Sequence, residues 1–439
     1  MKHIEILSTL KQFDNEVYER LQEVIEKQHY TLSLVPTMNA ESPFSAYLEG
    51  SVLINCDRDS HRSQVDNGFE KLAVERCQEL FNAEHAIVRL GNLKAASRVV
   101  LQAVLKNGDR ILSFNGRKAE HCDGLNYSFA SFSITADTQD IDWQDLAEKI
   151  KSWQPKLVIF SPTSYPRLVD YDRMAQLVRA GGALFWVDIG QNAGLVAAKL
   201  LPNPTKNADI VTFSTNDALQ GPDGAVILCR KALQADIDKV LLHSGYADVK
   251  KNRLAALAVT LGEAAGSSFA AYGKAVLKNA AIMAQELKAR EIPILCGGTD
   301  THLILAGFPL AITLEQMNQR LLKAGFDTKG AVIHTSDSNS CFHALRLSSL
   351  NPTTRSLNEQ DMKIISQYLA AALKTTDELK LKKISDDIRI LVMDKPIFSE
   401  KWLPKVQAAD TFFNGADNNN VHKVAAQEKK NIIQKLFHH

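Results

Sequence analysis

Apolar residues near the start of the chain fall at Ile4, Leu7, Leu10, Phe13, Val17 and Leu21, three or four apart, which is the spacing of a helix with one apolar stripe. From residue 85 the rhythm changes to short, almost wholly apolar runs with helical stretches between them. "HAIVRL" (85–90) precedes a helix over 95–105, and "RILSF" (110–114) follows. "KLVIFSP" (156–162) precedes a helix over 170–179, and "ALFWVDI" (183–189) precedes a short helix from Asn192. "DIVTFST" (209–215) and "AVILCR" (225–230) come next, close together. Runs of this kind predict an α/β domain whose parallel or mixed sheet is buried on both faces. Residues 248–290 read as long helices, and from about 291 the strands "IPILC", "HLILAGF" and "HALRLSS" alternate with amphipathic helices. The expected organisation is a helical arm (1–30), a large α/β domain (31–290), a smaller α+β domain (291–400) and an extension (401–439) with a loose linker and one helix.

Composition narrows this picture by exclusion. Of 439 residues, 45% are apolar and 23% charged, and 51 basic side chains balance 50 acidic ones, so bulk electrostatics asks for neither a nucleic-acid nor a membrane partner. No uncharged apolar run approaches 18 residues, and the first twenty residues carry both charge signs and no apolar core of a signal peptide. The cysteines at 56, 77, 122, 229, 296 and 341 are scattered without a C-x-x-C pair, the pattern of free thiols in a reducing cytoplasm. No metal-ligand set, Ser/His/Asp triad or P-loop emerges.

Several longer stretches carry more information. "GSVLIN", "KLAVERCQELFNAEHA", "PTSYPRLVDY", "VDIGQNAGLVAAKLLPNP", "ADIVTFSTNDALQGPDGAVILC", "GGTDTHLIL" and "ALRLSSLNPTTR" occur in that order. Together they closely resemble the serine hydroxymethyltransferase family over about residues 30–400. The resemblance implies the fold type I, aminotransferase-like architecture of pyridoxal-phosphate enzymes, with a mostly parallel seven-stranded sheet and a smaller C-terminal α+β domain. It also implies a homodimer with the active site at the subunit boundary.

The same alignment shows what has been replaced. The family's lysine lies in T-T-T-T-H-K-T-L-R-G-P-R-G, where this chain has Asp217 for the lysine, Asn216 for the histidine, and Gln220 and Asp223 for two arginines. A Schiff base needs a primary amine, and a carboxylate has none. The phosphate-binding S-G-S-Q falls on Leu90, Gly91, Asn92 and Leu93, which loses hydroxyls. The segment bearing the family's glutamate and tyrosines shrinks to "CDRDSHRSQVDNG" (56–68), the folate-facing N-K-N-T reads Thr328-Lys329-Gly330-Ala331, and S-E-N reads Thr37-Met38-Asn39.

Other positions survive: Asp188 where an aspartate pairs with the pyridine nitrogen, His121 where a histidine stacks on the ring, Thr163 in place of a serine, and Arg346 where an arginine grips the substrate carboxylate. Each also has a plain structural reading. Asp188 could cap a helix, His121 could face solvent, Arg346 could form an internal ion pair, and Asp217 could be a general base, a cap or a remnant.

Three functions stay open. One is a pseudoenzyme or partner subunit of an active, lysine-bearing paralogue. Another is a repurposed enzyme that binds a small amino-acid-like carboxylate without pyridoxal phosphate. The third is residual hydroxymethyl transfer between serine and glycine with weakly, non-covalently held cofactor.

Overall fold

Strands β1 (Leu32–Ser33) and β2 (His85–Leu90) are followed by β3 (Arg110–Phe114), β4 (Ser128–Phe132), β5 (Leu157–Phe160), β6 (Leu184–Asp188), β7 (Ile210–Ser214) and β8 (Ala225–Cys229). In this computed structural model, which describes residues 3–55, 68–115, 126–245, 249–337 and 340–405, seven of them form one sheet in the order β2-β8-β7-β6-β5-β3-β4. Neighbours pair in parallel except at β8, which runs antiparallel to both β2 and β7. The fold type I expectation of a mostly parallel seven-stranded sheet is therefore met. β5 and β8 are buried at every position and β7 at all but its last, which is why their sequences lack polar alternation.

Helices cover the sheet. Those at Leu93–Val104 and Tyr171–Ala180 start where the sequence breaks from strand, each with a side-chain cap: Asn92 accepts from the Ala95 N–H and Asp170 from the Arg173 N–H. The predicted amphipathic arm is two helices, His3–Phe13 and Asn15–Tyr30, because Asp14 caps the second.

A second, antiparallel sheet has the order β11-β12-β9, from β9 (Leu303–Phe308), β11 (Lys329–His334) and β12 (Cys341–Ser348). β10 (Phe326–Asp327) pairs instead with β1, which brings Leu32 and Leu34 into the apolar core beneath the small sheet. The helix Ser267–Ala289 joins the two halves. Its Phe269, Tyr272 and Val276 lie in the core of the large sheet, and its Met283 and Leu287 in the other. "IPILC" is not a strand: it makes one isolated bridge, Ile294 to Ala306, and turns at Cys296 with φ of 56°. β4 and β11 had no clear signal in the sequence pattern, since both alternate weakly and carry small or polar residues.

The described residues up to Leu403 make one compact unit. The expected terminal helix lies outside the described residues. No single helix among the described residues is long and apolar enough to cross a membrane.

Candidate functional site

The turn after β7 carries the central residue. Ser214 ends the strand, and Asp217–Leu219 form one turn of 3-10 helix that Gln220 closes in the left-handed region. Asp217 is itself left-handed, with φ of 46°, a conformation that aspartate tolerates better than most residues. Its backbone is held from outside the turn. Asn39 donates from Nδ2 to the Asp217 carbonyl at 2.8 Å, while the Asn39 Oδ1 accepts from Thr354 at 2.7 Å. Thr354 also accepts from Gln220 Nε2 at 2.9 Å, so residues from the N-terminal segment, the turn and the C-terminal half share one buried network.

The Asp217 side chain is 6% exposed and faces a cavity of about 480 Å³. Ser214 Oγ lies 3.0 Å from Asp217 Oδ2 and 2.9 Å from the Gly190 carbonyl. A hydroxyl has one proton, so Ser214 shares its single donor between the Asp217 carboxyl and the Gly190 carbonyl. Burial pushes the Asp217 carboxyl up to about 7; the Asp223 and Asp188 charges add to this, and Ser214 and Arg346 oppose it. The group stands poised near neutrality.

β12 supplies the opposite charge. Arg346 is 5% exposed, donates from Nη2 to Gln191 Oε1 at 2.9 Å and lines the same cavity. Lys329, its antiparallel partner on β11, lines the cavity too and is exposed. It is the one primary amine among the described lining residues. Beside Arg346, His302 is fully buried, and burial followed by the Arg346 charge pulls its pKa down to about 3, so the imidazole is neutral.

The residues singled out from sequence separate here. Thr163, Asp217 and Arg346 come together around the cavity. Asp188 is 1% exposed and sits behind it; Oδ1 accepts from the Gly190 N–H at 2.9 Å and Oδ2 from Ser161 at 3.1 Å. The carboxylate fixes the turn leading to Gly190 and Gln191, both of which line the cavity. Gly91 lies in the bend after β2 and is not among the lining residues, whereas Leu93 is. His121 lies outside the described residues. Lys329 comes from the segment the resemblance aligns with a folate-facing one, whereas Gln191 and Asn115 were missed as lining residues, because no local pattern signals which strand ends converge. No cluster of three metal-ligating side chains occurs among the described residues.

A mostly parallel sheet whose strand ends open on a cavity shared with a smaller antiparallel sheet defines the fold type I class. Residues 10–369 match the model of the family described as serine hydroxymethyltransferase, and the chain belongs to that family. Pyridoxal phosphate is the family's cofactor, so the lining residues must be set against that group. Position 217 offers a carboxyl, which cannot form a Schiff base. At the phosphate end, Leu93 places an apolar side chain on the cavity, and Asn92 occupies the helix N-terminus by capping its own Ala95 N–H. Asp223 adds a negative charge to the lining, and the lining residues do not fit a covalently bound, phosphate-anchored cofactor.

Proposed function

We propose that this member of the serine hydroxymethyltransferase family does not perform hydroxymethyl transfer through a Schiff base, and that its cavity is a non-covalent site for a small carboxylate. One observation carries the reading: the wall position that needs an amine holds Asp217, a buried carboxyl bonded to Ser214. The cationic wall is retained at the same time. Arg346 stays buried in the lining with its orientation set by Gln191, and a guanidinium fork suits a carboxylate.

Pyridoxal phosphate mixed with the full chain is expected to give no aldimine absorbance band, and borohydride to fix no cofactor within 211–224. Asp217→Lys is expected not to restore serine cleavage, because Leu93 and Asp223 still face the place where phosphate would sit. A reduced adduct on Lys329 would overturn the reading by supplying the amine from another strand. Small carboxylates are expected to raise the unfolding temperature, and Arg346→Met to abolish that rise.

A second reading, a subunit that pairs with another copy or with a lysine-bearing relative, is favoured by a separate observation. Apolar side chains crowd one stretch of surface sequence, with Tyr47 77% and Val52 80% exposed near Phe44 and Ile54. The two readings are compatible, since one concerns the cavity and the other the surface.

A further inference from the structure

The turn that carries Asp217 is held from the rear by a segment with acid chemistry of its own. Ser42 donates its backbone N–H to the Gln220 carbonyl at 2.8 Å, beside the Asn39 bond to the Asp217 carbonyl, and its Oγ donates to Glu263 Oε1 at 2.8 Å. Ser42 is buried and immediately precedes the helix Pro43–Glu49, so these bonds fix where that helix starts. At the far end Asn252 Nδ2 donates to the Glu49 carbonyl at 2.6 Å, and Arg253 Nε to Glu49 Oε1 at 3.2 Å. The short helix is therefore pinned at both ends to the helix Lys251–Ala264. Two carboxyls meet along it. Glu41 Oε1 accepts from Ser45 Oγ at 2.6 Å, and the Glu41 carboxyl lies within hydrogen-bonding reach of the Glu49 carboxyl. Two carboxylates offer acceptors only, so a bond between them needs a proton.

We propose that Glu41 and Glu49 share a proton and act as a pH-sensitive latch, closing the helix Pro43–Glu49 onto the helix Lys251–Ala264 and, through Ser42, onto the turn carrying Asp217. Arg253 engages Glu49 in an ion pair, which leaves Glu41 to carry the proton. With the proton in place, Glu41 accepts from Ser45 and donates to Glu49. Without it, two like charges face each other in a half-buried setting. The helix relieves that repulsion by lifting from its neighbour, which slackens the Ser42 bonds and with them the grip on the turn.

The charged groups around the latch come from three elements among the described residues. Glu49 belongs to its own helix, and Lys251, Arg253 and Glu263 to the helix beneath. Arg76, on the helix Gly68–Phe81, donates to the Ala258 carbonyl of that same helix. Burial pushes the Glu41 carboxyl up to about 7; Glu49 adds to this by charge and by hydrogen bond, while Ser45 and Arg253 oppose it. Burial also raises Glu263, against its bond from Ser42. A raised acid costs the fold nothing below its ordinary 4.5, and the cost grows with pH until it is complete above about 7. The latch holds in mildly acidic solution and slackens as pH passes neutrality.

Hydrogen exchange read by mass spectrometry on the full chain tests the latch, with each rate corrected for its intrinsic pH dependence. Peptides covering 42–50 are expected to lose protection by about tenfold between pH 6 and pH 8, relative to peptides of β5 that report the global fold. Glu41→Gln keeps an acceptor for Ser45 and a donor for Glu49, and is expected to hold its pH 6 protection at pH 8. Glu49→Gln removes the second charge and is expected to shrink the change, whereas Asp217→Asn is expected to leave it in place. Flat protection in the native chain overturns the latch. So does a Glu41→Gln chain that keeps the native pH dependence, which would hand the effect to Glu263. If Glu41→Gln does not fold, the full native change in Glu49→Gln overturns the latch equally, since a lone carboxyl has nothing to share. These readouts need no ligand, so they succeed or fail independently of the carboxylate site.

Discussion

At the scale of single residues, the decisive feature is the buried carboxyl at position 217. An aspartate whose pKa is raised on folding destabilises the fold where it must ionise. Below the unfolded value of 3.8 both states are protonated and the penalty is nil; it grows as pH rises and is complete above about 7. A shift of that size corresponds to something on the order of 4 kcal/mol. Asp217→Asn keeps the Ser214 contact, suits the left-handed backbone and carries no charge. Urea unfolding at pH 4 and pH 8 is expected to show the variant gaining on the native chain by a few kcal/mol at the higher pH. A gap that stays flat with pH would mean that Asp217 titrates normally. The retention of so costly a group fits a role in binding better than a role in packing.

At the scale of elements, the turn Asp217–Leu219 is gripped from behind by the short helix Ala193–Ala197. Gly194 in that helix has no room for a side chain, since a Cβ would come within 2.1 Å of the Ala218 carbonyl oxygen. Gly221 is equally confined, with the Thr215 carbonyl 2.6 Å from where its Cβ would stand. These contacts are with backbone, which cannot swing aside as a long side chain can. Gly194→Ala is therefore expected to push the turn into the cavity, costing about 1–3 kcal/mol of stability. It should also weaken carboxylate binding, and both are measurable by thermal unfolding with and without ligand. An alanine variant with native stability and native binding would show that the turn is not fixed by this helix.

At the scale of the whole molecule, the N-terminal segment and the C-terminal half are tied through a buried arginine. Arg355 is 1% exposed and donates from Nη2 to the carbonyls of His29 and Val392, and burial lowers its pKa to about 10. The helix Asn15–Tyr30 that it anchors buries no residue of its own and leaves Val17, Val24 and Ile25 about half exposed. An amphipathic helix with an uncovered apolar stripe calls for a partner surface. Together with Tyr47 and Val52, these residues lead us to expect a dimer. Light scattering at micromolar concentration is expected to give twice the chain mass, and Tyr47→Asp with Val52→Asp to shift it toward the single chain. A native chain that remains monomeric at those concentrations would remove the partner-subunit reading.

The sequence by itself determined the sheet and the family. Buried strands need uninterrupted apolar runs, and β5, β7 and β8 declare themselves for that reason. Gly221, Pro222 and Gly224 keep the register in which the resemblance aligns Asp217 with the family's lysine. Helix starts were legible too, since Asp170 and Asn192 mark them with residues that favour caps. What only the tertiary structure decided is which side chains share the cavity. Lys329 and Arg346 meet through β11–β12 pairing, and both meet Asp217 across two sheets more than a hundred residues apart in sequence. Asp188 keeps its position in the motif, yet it lies behind Gly190 with both oxygens engaged. β1 belongs to the second core through its pairing with β10, far along the chain. Periodicity reports how each segment buries its own apolar face, whereas convergence depends on packing between segments, and no local pattern encodes that.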